Sequence, residues 1–511
     1  MKNTRYLWLL LVICVGFVFS VSSAWAQAQT LEADVVVIGA GTAGLPAALT
    51  AADGGAKVIV FEKTNSTGGT GNMGMGPFAV ESRLQREKHV ALTKDQAFDI
   101  WMNYTHWRVN ALLVKAYIDK SADTIDWLEK MGIQFLPTAY FTGSEFTWHV
   151  VQNQSVPGFN VMSAALKALA DKAKEKGVQI LFETPATKIL KEGDRVVGVV
   201  GNDKSGNTVQ VNAKAVIVAT GGFGNNPEMI KKYTSYEWGV DLFSTRTPST
   251  TGDGIRMAWE AGAAQDLEAM NIELTFGSAG GPVGVSASGT TALTQPRAIM
   301  VNLQGKRFYN EGLMGNTTFT GNAIAHQYKR QGFSIIDAAI AKYYTENGVD
   351  RVGMRPEGKL GNVESAVMEA VKKGNKNMYV ANSLEELANK TGIDLAGLRE
   401  TLNRYNEDCE KGYDSLFHKD HKYLTPLKQP NYYAIKLVPT GYGTLGGIKI
   451  NEKAEVLSME FKPIPGLYAA GVDANSVYAD SYVFVLPGNT MGFALNMGRI
   501  AGENALKYIG K

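Results

Sequence analysis

An α/β fold built on a parallel sheet is what this 511-residue sequence predicts, and two observations predict it. The first is a complete strand–helix–strand unit, ADVVVIGAGTAGLPAALTAADGGAKVIVFEK, Ala33 to Lys63. A short apolar run passes through a glycine-rich turn into small helical residues and returns to a second apolar run, the pattern of doubly covered strands joined by a helix. The second is that two further apolar runs end in glycine far downstream: Ala215 to Ala219 leads into Thr220-Gly221-Gly222, and Leu467 to Ala470 leads into Gly471 and Asp473. The 55 glycines exceed the usual ~7% share and cluster in a few such loops.

The chain opens with MKNTRYLWLLLVICVGFVFSVSSAWA, residues 1–26, which has the three-part grammar of a secretory signal: Lys2 and Arg5, the apolar Tyr6 to Val21, and Ala24-Trp25-Ala26 for cleavage. The apolar run is shorter than the ~20 residues of a spanning helix. The expectation is therefore a periplasmic or otherwise exported protein that starts at Gln27 and has no membrane span once the signal is cleaved. Cleavage removes two cations, taking 51 Lys+Arg against 49 Asp+Glu to 49 against 49. That balance argues against a nucleic-acid or anionic-membrane partner. Cys14 leaves with the signal and Cys409 stays alone, which excludes an internal disulfide, a cysteine-rich metal site and a C-x-x-C-H haem attachment. Any redox chemistry needs an organic cofactor. A mature chain of this length is too long for one core, so two or more domains are expected.

Asp34 to Ile38 and Lys57 to Phe61 are the strands of the first unit, and Ala43 to Ala52 is its helix, ended by Gly54-Gly55. Gly39, Gly41 and Gly44 are spaced as G-x-G-x-x-G: one for the tight turn, one for the approach of a pyrophosphate, one for close helix–strand packing. Thr42 and Ala43 lie within that turn, and Glu62, closing the second strand, suits both hydroxyls of an adenosine ribose. NAD and FAD both fit this dinucleotide site. The next stretch decides for FAD: Lys63 to Gly76, KTNSTGGTGNMGMG, is a long open loop able to wrap an isoalloxazine and its ribityl chain. It brings Lys63, Thr67, Gly68, Gly69, Thr70, Asn72, Gly74, Met75 and Gly76 to the cofactor. The later strand ends add Ala219, Thr220, Gly221, Asn225, Gly471 and Asp473. Three glycine-ended strands spread over the chain read as one sheet gripping FAD lengthwise.

These motifs, with TGDGIRMAWEAGA (Thr251 to Ala263), VNLQGKRFYNE (Val301 to Glu311), SLEELANKTGIDLAGLRETLNRYNE (Ser383 to Glu407), GTLGGIKIN (Gly443 to Asn451) and PIPGLYAAG, resemble the flavoprotein of the fumarate reductase and succinate dehydrogenase superfamily. The similarity is greatest to its soluble branch of flavocytochrome c fumarate reductase, urocanate reductase and ketosteroid dehydrogenase. The resemblance implies a discontinuous Rossmann-like FAD-binding domain, residues 31–268 and 445–511, with an inserted α+β capping domain, residues 269–444, and substrate held between them against the flavin. It places Gly252 and Asp253 at the cofactor. It also explains DSYVFVLPGNTMG, Asp480 to Gly492: Gly488, Asn489 and Thr490 would open the last helix, patterned from Phe493 to Tyr508, with free N–H groups towards the flavin's pyrimidine edge. Members with covalent flavin carry a histidine where this chain has Ser66 to Gly76; none is present, so FAD is expected to be non-covalent.

The chain departs from the fumarate reductases at their substrate. Their proton-donor arginine corresponds to Gly315, their histidine before the G-G pair to Gly443, their carboxylate-clamping arginine to Val485, and another histidine falls near Glu273. Without guanidinium groups a pocket cannot favour a dicarboxylate. Tyr442, Tyr478, Tyr482 and Phe484 stand in this region instead. Tyr482 is the first candidate for proton donor or carbonyl partner, with Tyr442 and Glu273 behind it. FLPTAYFTGSEFTWHV, Phe135 to Val150, is expected to pack under the cap and secondarily to line the pocket. His418 and His421 flank Lys-Asp in a polar loop and read as solvated surface, so no metal is assigned.

The expected activity is hydride transfer between FAD and an activated C=C bond of an apolar or aromatic α,β-unsaturated small molecule, an enoate such as an arylacrylate or an enone. With no haem in the chain, electrons would come from a separate cytochrome c. A ketosteroid-type dehydrogenase and a non-catalytic flavin carrier are the alternatives.

Overall fold

Strands Val35–Ile38, Val58–Phe61 and Ala215–Val218 are apolar at every position and buried at every position, as strands covered on both faces must be. In the computed structural model, which describes residues 29–139, 141, 143–152, 161–244, 248–278, 287–350 and 360–511, they belong to a six-stranded sheet. Its order is Glu455–Leu457, Pro463–Ala469, Ala215–Val218, Val35–Ile38, Val58–Phe61, Gln179–Leu181. All neighbours are parallel except the first pair. The three glycine-ended strands thus lie side by side. Ile38 is level with Val218 and Val218 with Ala469, so their loops converge at the carboxyl edge, where open α/β sheets bind ligands. The signal assigned to residues 1–26 lies outside the described residues.

The small-residue helix Gly44–Asp53 packs against the last helix, Asn489–Tyr508. Close approach is the reason for glycine here: a Cβ on Gly498 would stand 2.2 Å from the Ala43 carbonyl oxygen, and one on Gly502 2.7 Å from that of Ala47. The last helix begins four residues before the apolar pattern that announces it. Gly488, with φ 85°, supplies the left-handed turn. The Asn489 amide then donates to the carbonyls of Val483 and Leu486 and closes the preceding loop onto the helix. The 63–76 loop is likewise less open than expected, because Gly69–Met73 winds into a 3₁₀ turn.

A second mixed layer forms around the 17-residue strand Tyr432–Ile448. Gln265–Gly277, Gly332–Asp337 and Met378–Ala381 pair with it antiparallel. Among the described residues two hydrophobic cores result. One draws on residues from Val35 to Leu274 and again from Leu445 to Ala505; the other lies between Ala292 and Leu437. The strands Gln265–Gly277 and Tyr432–Ile448 run unbroken through the points, 268/269 and 444/445, where the sequence divides the chain. They therefore tie both cores to one ladder. Helix Thr317–Ala325 of the second core reaches the first: Phe319 stacks on Tyr104 at 6.1 Å and Asn322 donates to Ser481 Oγ at 2.9 Å.

Phe135–Thr138 and Trp148–Val151 pair as a hairpin. Phe141 packs on Phe484, whereas Trp148 turns into the main cavity, so this segment both packs and lines; its Tyr140 and Thr142 fall outside the described residues. Among the described residues no helix is long and apolar enough to cross a membrane, and no group of three or more His, Cys, Asp or Glu is placed to hold a metal ion.

Candidate active site

A cavity of about 460 Å³ runs along the carboxyl edge of the parallel sheet, from Gly39 and Glu62 at one end to Tyr442 and Tyr482 at the other. That volume is in the range of small-molecule and cofactor sites. The first end is built by backbone. Gly39 turns the chain at φ 102°, and a Cβ on Gly44 would lie 1.8 Å from the Gly39 carbonyl oxygen, so the helix can start only with glycine there. Glu62 accepts from the Ala40 amide at 2.9 Å with one oxygen and from the Thr64 amide and hydroxyl, both at 2.8 Å, with the other. Its carboxylate thereby holds the turn and the following loop together at the cavity wall. Lys63 donates to Asp253 and to Thr251 Oγ1, each at 2.7 Å. Burial works to raise the Asp253 pKa, but the Lys63 hydrogen bond and charge hold it below the usual carboxylate range.

Of the residues expected at a cofactor, Gly39, Gly41, Thr42, Ala43, Glu62, Lys63, Gly68, Gly69, Thr70, Gly74, Met75, Gly76, Ala219, Thr220, Gly221, Asp253, Gly471, Gly488 and Thr490 line this cavity. The others stand behind its wall. Gly44 is a packing residue; Asn72 donates to the Thr67 carbonyl and braces the loop; Asn225 donates to Thr250 Oγ1; Gly252, at φ 76°, caps helix Asp253–Glu260. Asp473 accepts from the Thr220 amide and hydroxyl and the Gly222 amide. Burial raises its pKa and those donors oppose the rise. It joins two strand ends. The Asn489 side chain is consumed by the helix start described above. Trp148, Met257, Val472 and Met491 line the cavity without having been assigned to it. Only Trp148, in its aromatic segment, carried a signal; apolar residues in packed motifs look alike whether they face core or cavity.

The residues fit a long dinucleotide. A Cβ on Gly41 would meet nothing closer than the Gly68 oxygen at 3.9 Å, and one on Gly69 nothing within 4 Å. At these cavity-lining positions glycine leaves room and presents backbone, as a phosphate cradle requires.

The far end is aromatic. Tyr482 lies 5.3 Å from Phe484 and 6.4 Å from Tyr442, ring centre to centre. The Tyr442 hydroxyl shares a 2.9 Å hydrogen bond with Thr317 Oγ1. Tyr478 is not at the cavity; its hydroxyl donates to Asn489 Oδ1 at 2.8 Å inside the core. Glu273, 1% exposed, sits level with Gly443 across the strand pair and accepts from Thr490 Oγ1 at 2.7 Å. Burial, and then the Glu273 charge, raise the Tyr482 pKa far above that of a free phenol, while Thr490 opposes the shift. Among the described residues no arginine or histidine lines the cavity, and Lys63, at the other end, is paired. Gly315 and Val485 do not line it.

The family model described as FAD binding domain matches residues 34–489. The chain is 33% identical over 486 residues to a vinyl phenol reductase of Lactiplantibacillus plantarum, covering 93% of this chain and 96% of that one. It is 30% identical over 492 residues to a fumarate reductase (cytochrome) of Shewanella frigidimarina, covering 95% and 79%. Among solved structures, the open conformation of a flavocytochrome c3 fumarate reductase superposes with a TM-score of 0.70 at 27% identity, over 94% of this chain and 79% of that one. With glycine-ended strands converging on one elongated cavity, these likenesses settle the family: the chain belongs to the FAD binding domain family and is an FAD-dependent oxidoreductase of the fumarate reductase and succinate dehydrogenase superfamily, whose members act on C=C and CH–CH bonds.

Proposed function

We propose that this protein is exported and reduces the activated C=C bond of an apolar or aromatic substrate, with electrons from a separate cytochrome c. The observation that carries this reading is the composition of the far end of the cavity: Tyr442, Tyr482 and Phe484 with one carboxylate, Glu273, and, among the described residues, no arginine or histidine. A dicarboxylate needs bidentate cations to offset its desolvation; an aromatic ring needs aromatic walls. The 33%-identical relative is named for reducing a vinyl phenol, which agrees with such walls. The cytochrome in the name of the Shewanella relative supports the electron donor, and residues 1–26 support export.

Bound FAD, held non-covalently, would supply the hydride. The chain's part is to place the substrate, exclude water and supply a proton. Tyr482 is 5% exposed, and its raised pKa keeps the phenol protonated at any working pH, the state a donor needs. Its backbone carbonyl accepts from Tyr104 Oη at 3.0 Å, which fixes the segment carrying it. Tyr442, tethered to Thr317 on the second core, would orient the ring. Glu273 would hold Thr490 and keep the Tyr482 proton in place between turnovers.

The test is anaerobic reoxidation of viologen-reduced protein, followed at the flavin band, against fumarate, arylacrylates, vinylarenes and enones. Rapid reoxidation by aromatic members but not by fumarate supports the reading. Reoxidation by fumarate above all others overturns it, and silence across the panel shifts it to dehydrogenation of a ketosteroid-type substrate or to a flavin carrier.

A further inference from the structure

We infer that Tyr104 and Asn322 are positioning residues for the Tyr482 phenol: reaching from different cores, they grip two consecutive residues, Ser481 and Tyr482, and hold the proton donor in register only while the two cores lie together. This rests on the reading of Tyr482 as the acid of a C=C reductase and extends it to two side chains that do not line the cavity.

The segment from Val477 to Tyr482 is a run of turns and bends between strand Ala474–Asn475 and the last helix, and Ala479 stands in the left-handed region at φ 54°. Such a turn keeps its shape only where its surroundings hold it. Here the neighbours do so residue by residue. Trp101 donates from its indole to the Val477 carbonyl at 2.6 Å, Arg108 pairs with Asp480 at 3.0 Å, Asn322 Nδ2 donates to Ser481 Oγ at 2.9 Å, and Tyr104 Oη donates to the Tyr482 carbonyl at 3.0 Å. Burial pushes the Tyr104 phenol up to about 12, with Ser481 opposing the rise, so it remains a donor at any working pH.

The last two bonds come from opposite sides. Tyr104 ends helix Lys94–Tyr104 and packs on the first core, whereas Asn322 and Phe319 stand on helix Thr317–Ala325 of the second. The rings of Tyr104 and Phe319 are tilted by only 6°, with centres 6.1 Å apart, so the helix that reaches Ser481 also sets Tyr104. Their shared target carries the Tyr482 ring, which packs against Tyr442 and Phe484 at the cavity wall. A proton passes only across hydrogen-bond distance, and a displacement of about 1 Å costs on the order of a hundredfold in rate. Side chains that fix an acid from behind therefore act on turnover more than on binding. Each C=C reduced takes two electrons, from two equivalents of reduced methyl viologen in the assay, and two hydrogens. One carbon takes a hydride and its neighbour takes the proton that leaves the Tyr482 hydroxyl, which water then returns.

The test is a double-mutant cycle on the FAD-loaded mature protein, with viologen-driven reduction of 4-vinylphenol and of cinnamate. Tyr104→Phe keeps the ring stack and removes one donor; Asn322→Ala removes the other. Each should lower kcat about tenfold, leave KM within about twofold and raise the solvent deuterium isotope effect on kcat, at unchanged flavin content. In a Tyr482→Phe background each should change kcat by less than about twofold, since a residue that acts only by placing the phenol has nothing left to place. Losses that persist undiminished in that background, or a loss seen in KM alone, overturn the positioning role and leave the reductase reading intact. A single variant that matches the wild type overturns the role for that residue, and if one variant does not fold the other carries the cycle. Full kcat in Tyr482→Phe alone removes the acid and the clasp with it, and no reduction of either alkene removes the reductase reading together with the positioning role.

Discussion

Glu311 and Glu273 are both almost wholly buried, at 0% and 1% exposure, yet the groups around them differ. Glu311 lies in the second core, where Arg307 reaches it at 2.7 and 2.9 Å and Lys419 at 3.0 Å. Arg307 also grips Asp414 at 2.9 Å, and Lys419 donates to the carbonyls of Pro296 and Ala298. Two cations and two anions cancel there with no space left over. Glu273 lies at the end of a cavity with hydroxyls and aromatic rings. Desolvation costs both carboxylates several kcal/mol in principle; around the first, Arg307 and Lys419 offset it inside the second core, whereas the second stands at a cavity wall and accepts from Thr490. A buried charge surrounded by counter-charges reads as architecture, whereas one turned to a cavity reads as chemistry.

The largest effect that would sharpen this contrast is loss of Arg307. Arg307→Ala strands Glu311 and Asp414 opposite Lys419 alone and should destabilise the protein by about 3–5 kcal/mol, read as a lowered urea midpoint. A change below about 1 kcal/mol would mean the network is not the keystone its distances suggest.

His149 offers a neutral counterpart. Its ring donates from Nδ1 to the Thr147 carbonyl and accepts at Nε2 from Ser82 Oγ, and burial pushes its pKa down to about 4. With the unfolded value near 6.5, the unfolded chain binds the extra proton first. This contribution is absent above pH 6.5 and stability falls as pH drops towards 4, by about 3 kcal/mol. His149→Gln should flatten that part of the stability–pH curve; an unchanged slope would place the loss elsewhere.

Tyr482→Phe tests the chemical side. It should lower kcat roughly a hundredfold while leaving flavin content and the unfolding midpoint near those of the wild type. A full kcat would return Tyr482 to the core. The smallest effect belongs to Thr490→Val, which removes the donor to Glu273 Oε1. It should cost about 1 kcal/mol of stability; an unchanged unfolding midpoint would show that the bond to Glu273 adds nothing net.

The dinucleotide end was readable because its requirements are local. Gly39, Gly41, Gly44 and Glu62 fall within one short strand–helix–strand unit, and the spacing follows from how closely backbone must approach backbone. The far end is assembled from Glu273, Tyr442, Tyr482 and Thr490, which only the Gln265–Gly277 and Tyr432–Ile448 pairing and the loop before the last helix bring together. Sequence could nominate each of these residues but not say that Tyr478 turns inward to Asn489 while Tyr482 turns to the cavity, since both are tyrosines in one apolar stretch. Asp473, Asn72 and Asn225 show what the sequence does not specify at such turns: their side chains bond to backbone and hydroxyl groups that only the fold brings within reach.

By itself the sequence determined the parallel sheet, the glycine turns and the lack of arginine and histidine at the positions where the superfamily resemblance expects them, because each depends on residue type, period or spacing within a short stretch. Tertiary structure alone decided which carboxylate is packed into a core ion-pair network and which lines the cavity. Burial and counter-charge are properties of neighbours far apart in the chain, and Glu273 and Thr490, 217 residues apart and in hydrogen-bond contact, become neighbours only when the sheet closes.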